Sequence, residues 1–192
     1  MLIIGISGQT GAGKSTLAEL MVSKGYGRNL EVDNLGHDLL KDRATIQQLT
    51  DAFGKEILTD NQIDRKMLGA KAFESPAATE TLNSIMHPNM VKMVEKIIEG
   101  EKKTGSKSII VNAALLYKMK LDKLCNKIIY VKADPEIRVK RLVDNRGMTE
   151  ERARERLFSQ DQEPVNDPRV IIVENNGTPD ELSQTLDSLK LK

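Results

Sequence analysis

Gly8-Gln9-Thr10-Gly11-Ala12-Gly13-Lys14-Ser15-Thr16 decides how the rest of the chain reads. An apolar run, Leu2-Ile3-Ile4-Gly5-Ile6, precedes it, and a segment of helical periodicity follows. Strand, glycine-rich turn and helix in that order are the context of a phosphate-binding loop of the form G-x-x-x-x-G-K-[ST]. Glycines let successive backbone N–H groups turn inward around an anion, because no Cβ blocks its approach. A helix starting near Lys14 adds the positive end of its dipole. Lys14 is then placed to reach β- and γ-phosphates, and the Ser15 hydroxyl to ligate Mg²⁺. Gly8, Gly11, Ala12, Gly13 and Thr16 complete the expected nucleotide cradle. The bland alternative is a glycine turn with one solvated lysine, and the flanking strand and helix argue against it.

Composition narrows the field around this motif. The chain has 192 residues and a formal net charge of +1, with both signs mixed. That length suits one α/β domain with a sizeable core. The balanced charge argues against a protein that coats a polyanion. Only 3% of residues are aromatic and Trp is absent, which disfavours base-stacking platforms, so no nucleic-acid partner is expected. Cys125 is the only cysteine; it excludes an internal disulfide framework and fits a reducing cytoplasm as a small buried hydrophobe. No apolar stretch approaches the ~20 residues of a membrane span. The N-terminus reads as a strand and not as a signal peptide. The expectation is a cytoplasmic protein with no membrane partner.

Beyond the loop, Leu17, Leu20 and Met21 form a stripe on the first helix, which Gly25 and Gly27 end. Arg28 to Glu31 reads as a short second strand. Asp33 follows it, at the strand end where ligands gather in a doubly wound sheet. Asp33 is therefore a candidate to face a substrate, or else the N-cap of a helix starting at Asn34 or Leu35. From Arg43 to Lys103 the pattern is helical with little strand signal, a block too long for a linker. Phe53-Gly54 reads as a helix end, and Asp64-Arg65 as a helix start with Met67, Leu68 and Phe73 as apolar positions. Ser75-Pro76 is an N-cap and N1 pair. His87-Pro88 is expected to break one helix and begin another, whose core face is Met90, Val91, Val94, Ile97 and Ile98. Met86, Met90 and Met93 read as packing residues.

Thr104 to Lys107 is a turn. Ser108–Asn112 and Lys127–Val131 are buried strands, and Val170–Val173 is a fifth. Asp134-Pro135 opens a helix on which Arg138 and Arg141 share a face. Gly147 ends it, and Thr149 caps another helix rich in Arg and Glu. Most of those charges form a solvated, mutually paired face, while a minority are available to clamp phosphates in a closing lid. Asn175-Asn176-Gly177 turns into Thr178-Pro179-Asp180-Glu181, a capping box with Pro at N1. Leu182, Leu186 and Leu189 then pack the last helix.

These residues together resemble the dephospho-CoA kinase family, which acts in the last step of coenzyme A synthesis. The resemblance covers nearly the whole chain. It rests on the phosphate loop, Asp33 through Leu39, Phe53-Gly54, Ile57-Leu58, Ile63-Asp64-Arg65, Leu68, Phe73, and Leu82…Ile85 with His87-Pro88. Asp134-Pro135, Arg141, the spacing Ala153…Arg156…Gln160 and the Asn175…Gly177 loop extend it. The phosphate loop is shared by many kinases, whereas the Phe-Gly, Asp-Arg and His-Pro signatures are far more selective. The chain also departs from the family pattern. Asn112 and Lys118 stand where carboxylates are usual, Glu31 where Asp is commoner, and the lid arginine four places after Arg141 falls on Asn145, with Arg146 next.

The resemblance implies a three-layer P-loop kinase fold with a five-stranded parallel sheet and helices on both faces. It implies one kinase domain carrying a helical substrate-binding insertion over about 34–104 and a lid over about 142–165. It also implies ATP and dephospho-CoA as substrates and Mg²⁺ as cofactor. Catalysis falls to Asp33, Lys14 and Arg141, and ATP binding to the loop with Arg141, Asn175 and Gly177. The dephospho-CoA side falls to Asp33, His37, Arg65 and His87, and the metal to Ser15. Two alternatives stay open: another small-molecule P-loop kinase, and a nucleotide-binding module without catalysis.

Overall fold

A computed structural model describes residues 1–158, 167–189 and 191. The chain divides into two compact units, one of Met1–Leu30 with Glu101–Lys192 and one of Glu31–Gly100. In chain order, Leu2–Gly8 forms β1, Lys14–Ser23 α1, Arg28–Glu31 β2, Val32–Leu39 α2 and Arg43–Phe53 α3. Leu58–Thr59 and Gln62–Ile63 form β3 and β4, followed by Arg65–Ala72 as α4 and Pro76–Lys103 as α5. Ser108–Asn112 is β5, Lys127–Lys132 β6, Pro135–Arg146 α6, Glu150–Phe158 α7, Val170–Glu174 β7 and Pro179–Ser188 α8.

The sheet order is β2-β5-β1-β6-β7. β1 lies at the centre, parallel to β5 through Ile6↔Asn112 and to β6 through Ser7↔Tyr130, and β6 is parallel to β7. Continuous apolar runs in β1, β5 and β6 fit strands covered on both faces. On one face Ile4, Ile6, Ile110, Ile129 and Val173 pack with Leu17, Ala18 and Met21 of α1 and Leu182 and Leu186 of α8. Toward the other face Gly5 looks at Leu116 and Cys125, and a Cβ there would come within 2.9 Å of the Cys125 sulfur. Cys125 is buried, and burial pushes its thiol up to about 12, so it serves as packing. α1 ends in a hydrogen-bonded C-terminal turn through Gly25 N–H to Val22 and Tyr26 N–H to Met21. The capping box at Thr178 and Glu181 forms as the sequence predicts.

α6 and α7 share an apolar seam of Val139, Leu142 and Ala153, with Met148 and Leu157 against it. Arg154 crosses the outside of this seam and donates to Glu136 and to Glu150. It thus belongs to the paired, solvated face. Of the expected lid, 159–165 lies outside the described residues, and so does Gln160.

The second unit has its own core of Leu49, Ile57, Leu68 and Ala72, with Leu82, Ile85 and Met86 packed against it. Asp42 caps α3 through Thr45 N–H, and Asp64 caps α4 through Lys66 and Met67 N–H. Three expectations fail here. First, α5 runs unbroken across Pro88. Leu82, Ile85, Met86, Met90, Val94 and Ile98 keep one helical register on both sides of it, and burial of that stripe outweighs the ~3 kcal/mol that an internal proline costs. Second, Met67 and Phe73 are exposed, Phe73 at 70%. α4 has only eight residues, and its buried stripe is Leu68 and Ala72 alone. Third, a small antiparallel hairpin, Leu58↔Ile63 and Thr59↔Gln62, interrupts the helical block. Its turn residues Asp60 and Asn61 both take positive φ, the geometry of a two-residue hairpin loop.

Candidate active site

β1 ends at the sheet edge where the chain turns from one neighbour, β5, to the other, β6, the place where open α/β sheets bind ligands. Gln9 N–H donates to Val131 O, which holds the start of the loop against β6. Gly13, with φ of 98°, is the N-cap of α1, so the helix begins at Lys14 as its sequence demands. A cavity of about 390 Å³ opens in front of this turn. The loop lines it with Gly11, Gly13, Lys14, Ser15 and Thr16, α6 with Arg141, Asn145 and Arg146, and the segment after β7 with Asn175 and Gly177. Gly8 and Ala12 lie behind this wall, and Ala12 is fully buried.

The cavity is a concentrated donor surface. The first N–H groups of α1 have no intrahelical acceptor and face its mouth. Lys14 Nζ donates to Gly8 O at 3.0 Å and to Gln9 O at 3.1 Å, which folds the cation back over the loop. Ala12 N–H is used within the loop, on Gln9 O, while Gly11 and Gly13 on either side of it line the cavity. Among the described residues no group of three or more His, Cys, Asp or Glu is arranged to hold a metal. One hydroxyl, Ser15 Oγ, suits an ion that keeps most of its coordination for phosphate and water, as Mg²⁺ does. Asn112, buried at the end of β5 in register with Ile6, offers an amide near this edge.

Three side chains act on the loop from its carbonyl side. Arg138 Nε donates to Thr10 O at 2.9 Å, and Arg138 is 5% exposed. Asn175 Nδ2 donates to Ala12 O at 2.7 Å, and Asn175 is 6% exposed. Arg141 Nη1 donates to Asn175 O at 2.9 Å and Ala12 O at 3.4 Å, while Nη2 donates to Gly177 O at 3.0 Å. Burial lowers the pKa of both guanidinium groups from the ordinary arginine value, yet arginine stays charged at neutral pH. Asn176 takes part too, its Oδ1 accepting from Asp134 N–H at 2.8 Å.

The second unit gathers other expected residues. Asp33 is exposed in the first turn of α2, where a carboxylate suits the positive end of the helix. The N-cap is Glu31, so Asp33 does not cap the helix. His37 lies one turn further along α2 and joins Arg65, the first residue of α4, at 2.8 Å. Neither Asp64 nor Asp60 takes Arg65. His87 is half-buried near the middle of α5, away from any helix end. Sequence reasoning placed Arg138 on the face of Arg141 but gave it no task. The signal was its i, i+3 spacing from an arginine already assigned to the site.

Comparison with known proteins adds a second line of support. The profile of the family described as dephospho-CoA kinase matches residues 2–181. This chain belongs to the dephospho-CoA kinase family. A protein named dephospho-CoA kinase from Corynebacterium glutamicum is 36% identical over 95% of this chain and 92% of its own. One of the same name from Arabidopsis thaliana is 31% identical over 100% of this chain and 84% of its own. Among solved structures, a Thermus thermophilus protein aligns with a TM-score of 0.74 at 25% identity, covering 97% of this chain and 95% of that one. A Campylobacter jejuni dephospho-CoA kinase, 21% identical with a TM-score of 0.61, shares the fold over 95% of this chain and 92% of its own. The family is one of ATP-dependent kinases, and the α/β fold with its central parallel sheet agrees with it.

Proposed function

We propose that this chain transfers the γ-phosphoryl group of ATP to the ribose 3′-hydroxyl of dephospho-CoA, giving CoA and ADP. The observation that carries the reading is the donor-lined cavity at the end of β1, in a chain matched to the kinase family over residues 2–181. In the reaction a bond forms between the 3′-oxygen and the γ-phosphorus. The bond from that phosphorus to the β–γ bridging oxygen breaks, and the hydroxyl proton leaves to a base. Phosphoryl transfer asks the protein for positioning and charge stabilisation more than for covalent chemistry.

In this reading the Gly11, Gly13 and α1 amides hold the phosphates and Lys14 swings from Gly8 and Gln9 onto them. Mg²⁺ held by Ser15 would offset the charge of the transferring group. Asp33 follows the carboxyl end of β2, a strand of the same sheet, and serves as the base that orients the hydroxyl. The unit of residues 31–100 receives dephospho-CoA, with His37, Arg65 and His87 on that side. Asn175 and Gly177 shape the adenine end of the cavity, and Arg141, tied to the carbonyls of both, stands between them and the transferring phosphate. The region of about 142–165 serves as the lid, and either Arg146 or Arg156 closes with Arg141 on the transferring phosphate. No helix among the described residues is long and apolar enough to cross a membrane. We place the protein in the cytoplasm, in keeping with its lone thiol.

Mass detection of CoA from dephospho-CoA and ATP, with and without Mg²⁺, tests the reading. CoA is expected only with all three present. Turnover with other acceptors and none with dephospho-CoA would make it a different small-molecule kinase. Tight ATP binding without acceptor-dependent ADP would make it a non-catalytic module.

A further inference from the structure

We infer that Arg138 and Asn175 are positioning residues that aim the anion-binding amides of the loop by holding the opposite ends of the same peptide planes. A trans peptide fixes its C=O and N–H on opposite sides of one plane. Thr10 O and Gly11 N–H belong to one such plane, and Ala12 O and Gly13 N–H to another. Arg138 Nε takes the first carbonyl at 2.9 Å and Asn175 Nδ2 the second at 2.7 Å. Each bond therefore dictates where the partnered N–H points, and Gly11 and Gly13 both line the cavity.

These two planes need outside control because both glycines adopt positive φ, 76° and 98°, where a residue without Cβ has the widest freedom. The space behind them is closed as well. A Cβ on Gly11 would come within 2.9 Å of Arg138 O, and one on Gly13 would strike the Asn175 carboxamide. Both donors are almost wholly buried, so water does not compete for the carbonyls. Neither donor belongs to the glycine motif: one comes from α6 and the other from the segment after β7.

The inference rests on the reading of the cavity as the nucleotide site, and its test is a binding measurement that does not need turnover. Inorganic tripolyphosphate is titrated by calorimetry into the wild type, Arg138→Lys, Arg138→Met and Asn175→Leu. Arg138→Lys keeps the charge but removes the Nε donor, and Asn175→Leu removes a donor without adding charge. Each single change is expected to weaken tripolyphosphate binding about tenfold, the worth of one lost buried hydrogen bond. KM for ATP rises with it, while KM for dephospho-CoA stays level. If Arg138→Lys binds tripolyphosphate like the wild type while Arg138→Met does not, charge and not direction matters, and the inference fails. If Arg138 variants do not fold, Asn175→Leu decides, and unchanged affinity there overturns it. Wild type that binds tripolyphosphate but makes no CoA would count against the proposed reaction alone.

Discussion

Arg65 Nη2 lies 2.8 Å from His37 Nε2 and joins the first residue of α4 to the last turn of α2. A guanidinium has donors only, so the ring nitrogen accepts and the imidazole of this pair carries its proton on Nδ1. The pair fixes ring orientation and tautomer together. Arg65→Met is expected to raise KM for dephospho-CoA about tenfold with KM for ATP unchanged, the range of a lost charge-assisted hydrogen bond. The double variant with His37→Leu should cost no more than the larger single loss. Initial-rate kinetics over both substrates checks this, and additive losses would dissociate the two residues.

Lys14→Ala should lower kcat by about 10²–10³, the scale of removing one preorganised electrostatic contact to the transferring group. The fold should stay intact, because Lys14 lines the cavity at the start of α1, outside the buried core, with its Nζ donating to the loop carbonyls Gly8 O and Gln9 O. Steady-state rates and a thermal melt are read side by side. Wild-type turnover in this variant would remove the loop from the mechanism.

Asp33→Asn separates a base from a binding group. The loss of a general base should reduce kcat by ~10²–10⁴ while ATP affinity stays as it was. A rise in KM for dephospho-CoA with kcat preserved would assign Asp33 to binding alone. Helix capping does not confound the result, since Glu31 holds the N-cap position.

Acid should weaken the first unit through Asp167. Hydrogen bonds from the Arg169 guanidinium hold its carboxyl below the usual carboxylate value, against a smaller opposing effect of burial. Arg169 also reaches Asp122 O and Cys125 O, so the pair closes the start of β7 onto the turn before β6. A carboxylate with a depressed folded pKa stabilises the fold above its unfolded value and loses that contribution as pH falls through the folded one. The Asp167→Asn deficit in urea melts should be on the order of 1 kcal/mol near neutrality, since the pair is partly solvent-screened. It should shrink as pH falls from about 4 toward 2. A deficit constant across that range would mean the carboxylate charge contributes nothing.

The first strand, the loop, α1 and the capped α8 were legible because each depends on residues close in sequence: an apolar run, glycines, or a Thr-Pro-Asp-Glu cap. The strand Ser108–Asn112 was read to its ends for the same reason. Pro88 misled because its local penalty is visible in sequence, whereas the packing of Leu82, Ile85 and Met86 against Leu49 of α3 and Leu68 and Ala72 of α4, which helps override it, depends on those helices folding alongside. Asn89, anchored to Gln48 of α3 at 2.7 Å, is part of that tertiary answer. The Asp60-Asn61 turn was overlooked because strands of two residues leave no alternation to count. In the site, the glycine loop on the cavity wall followed from its motif and Asn175 from the resemblance, but the bonds that Arg138 and Asn175 make to the loop carbonyls did not. Arg138 lies 128 residues from the carbonyl it holds, and Asn175 lies 163 from its own, distances over which no spacing rule applies.

That remoteness has an evolutionary side. A lineage could keep every letter of its glycine signature and still lose grip on nucleotide through one change in a helix or turn that no motif scan scores. Surveys that sort such sequences into working and defunct copies would do better to ask whether a donor still stands behind Thr10 and Ala12.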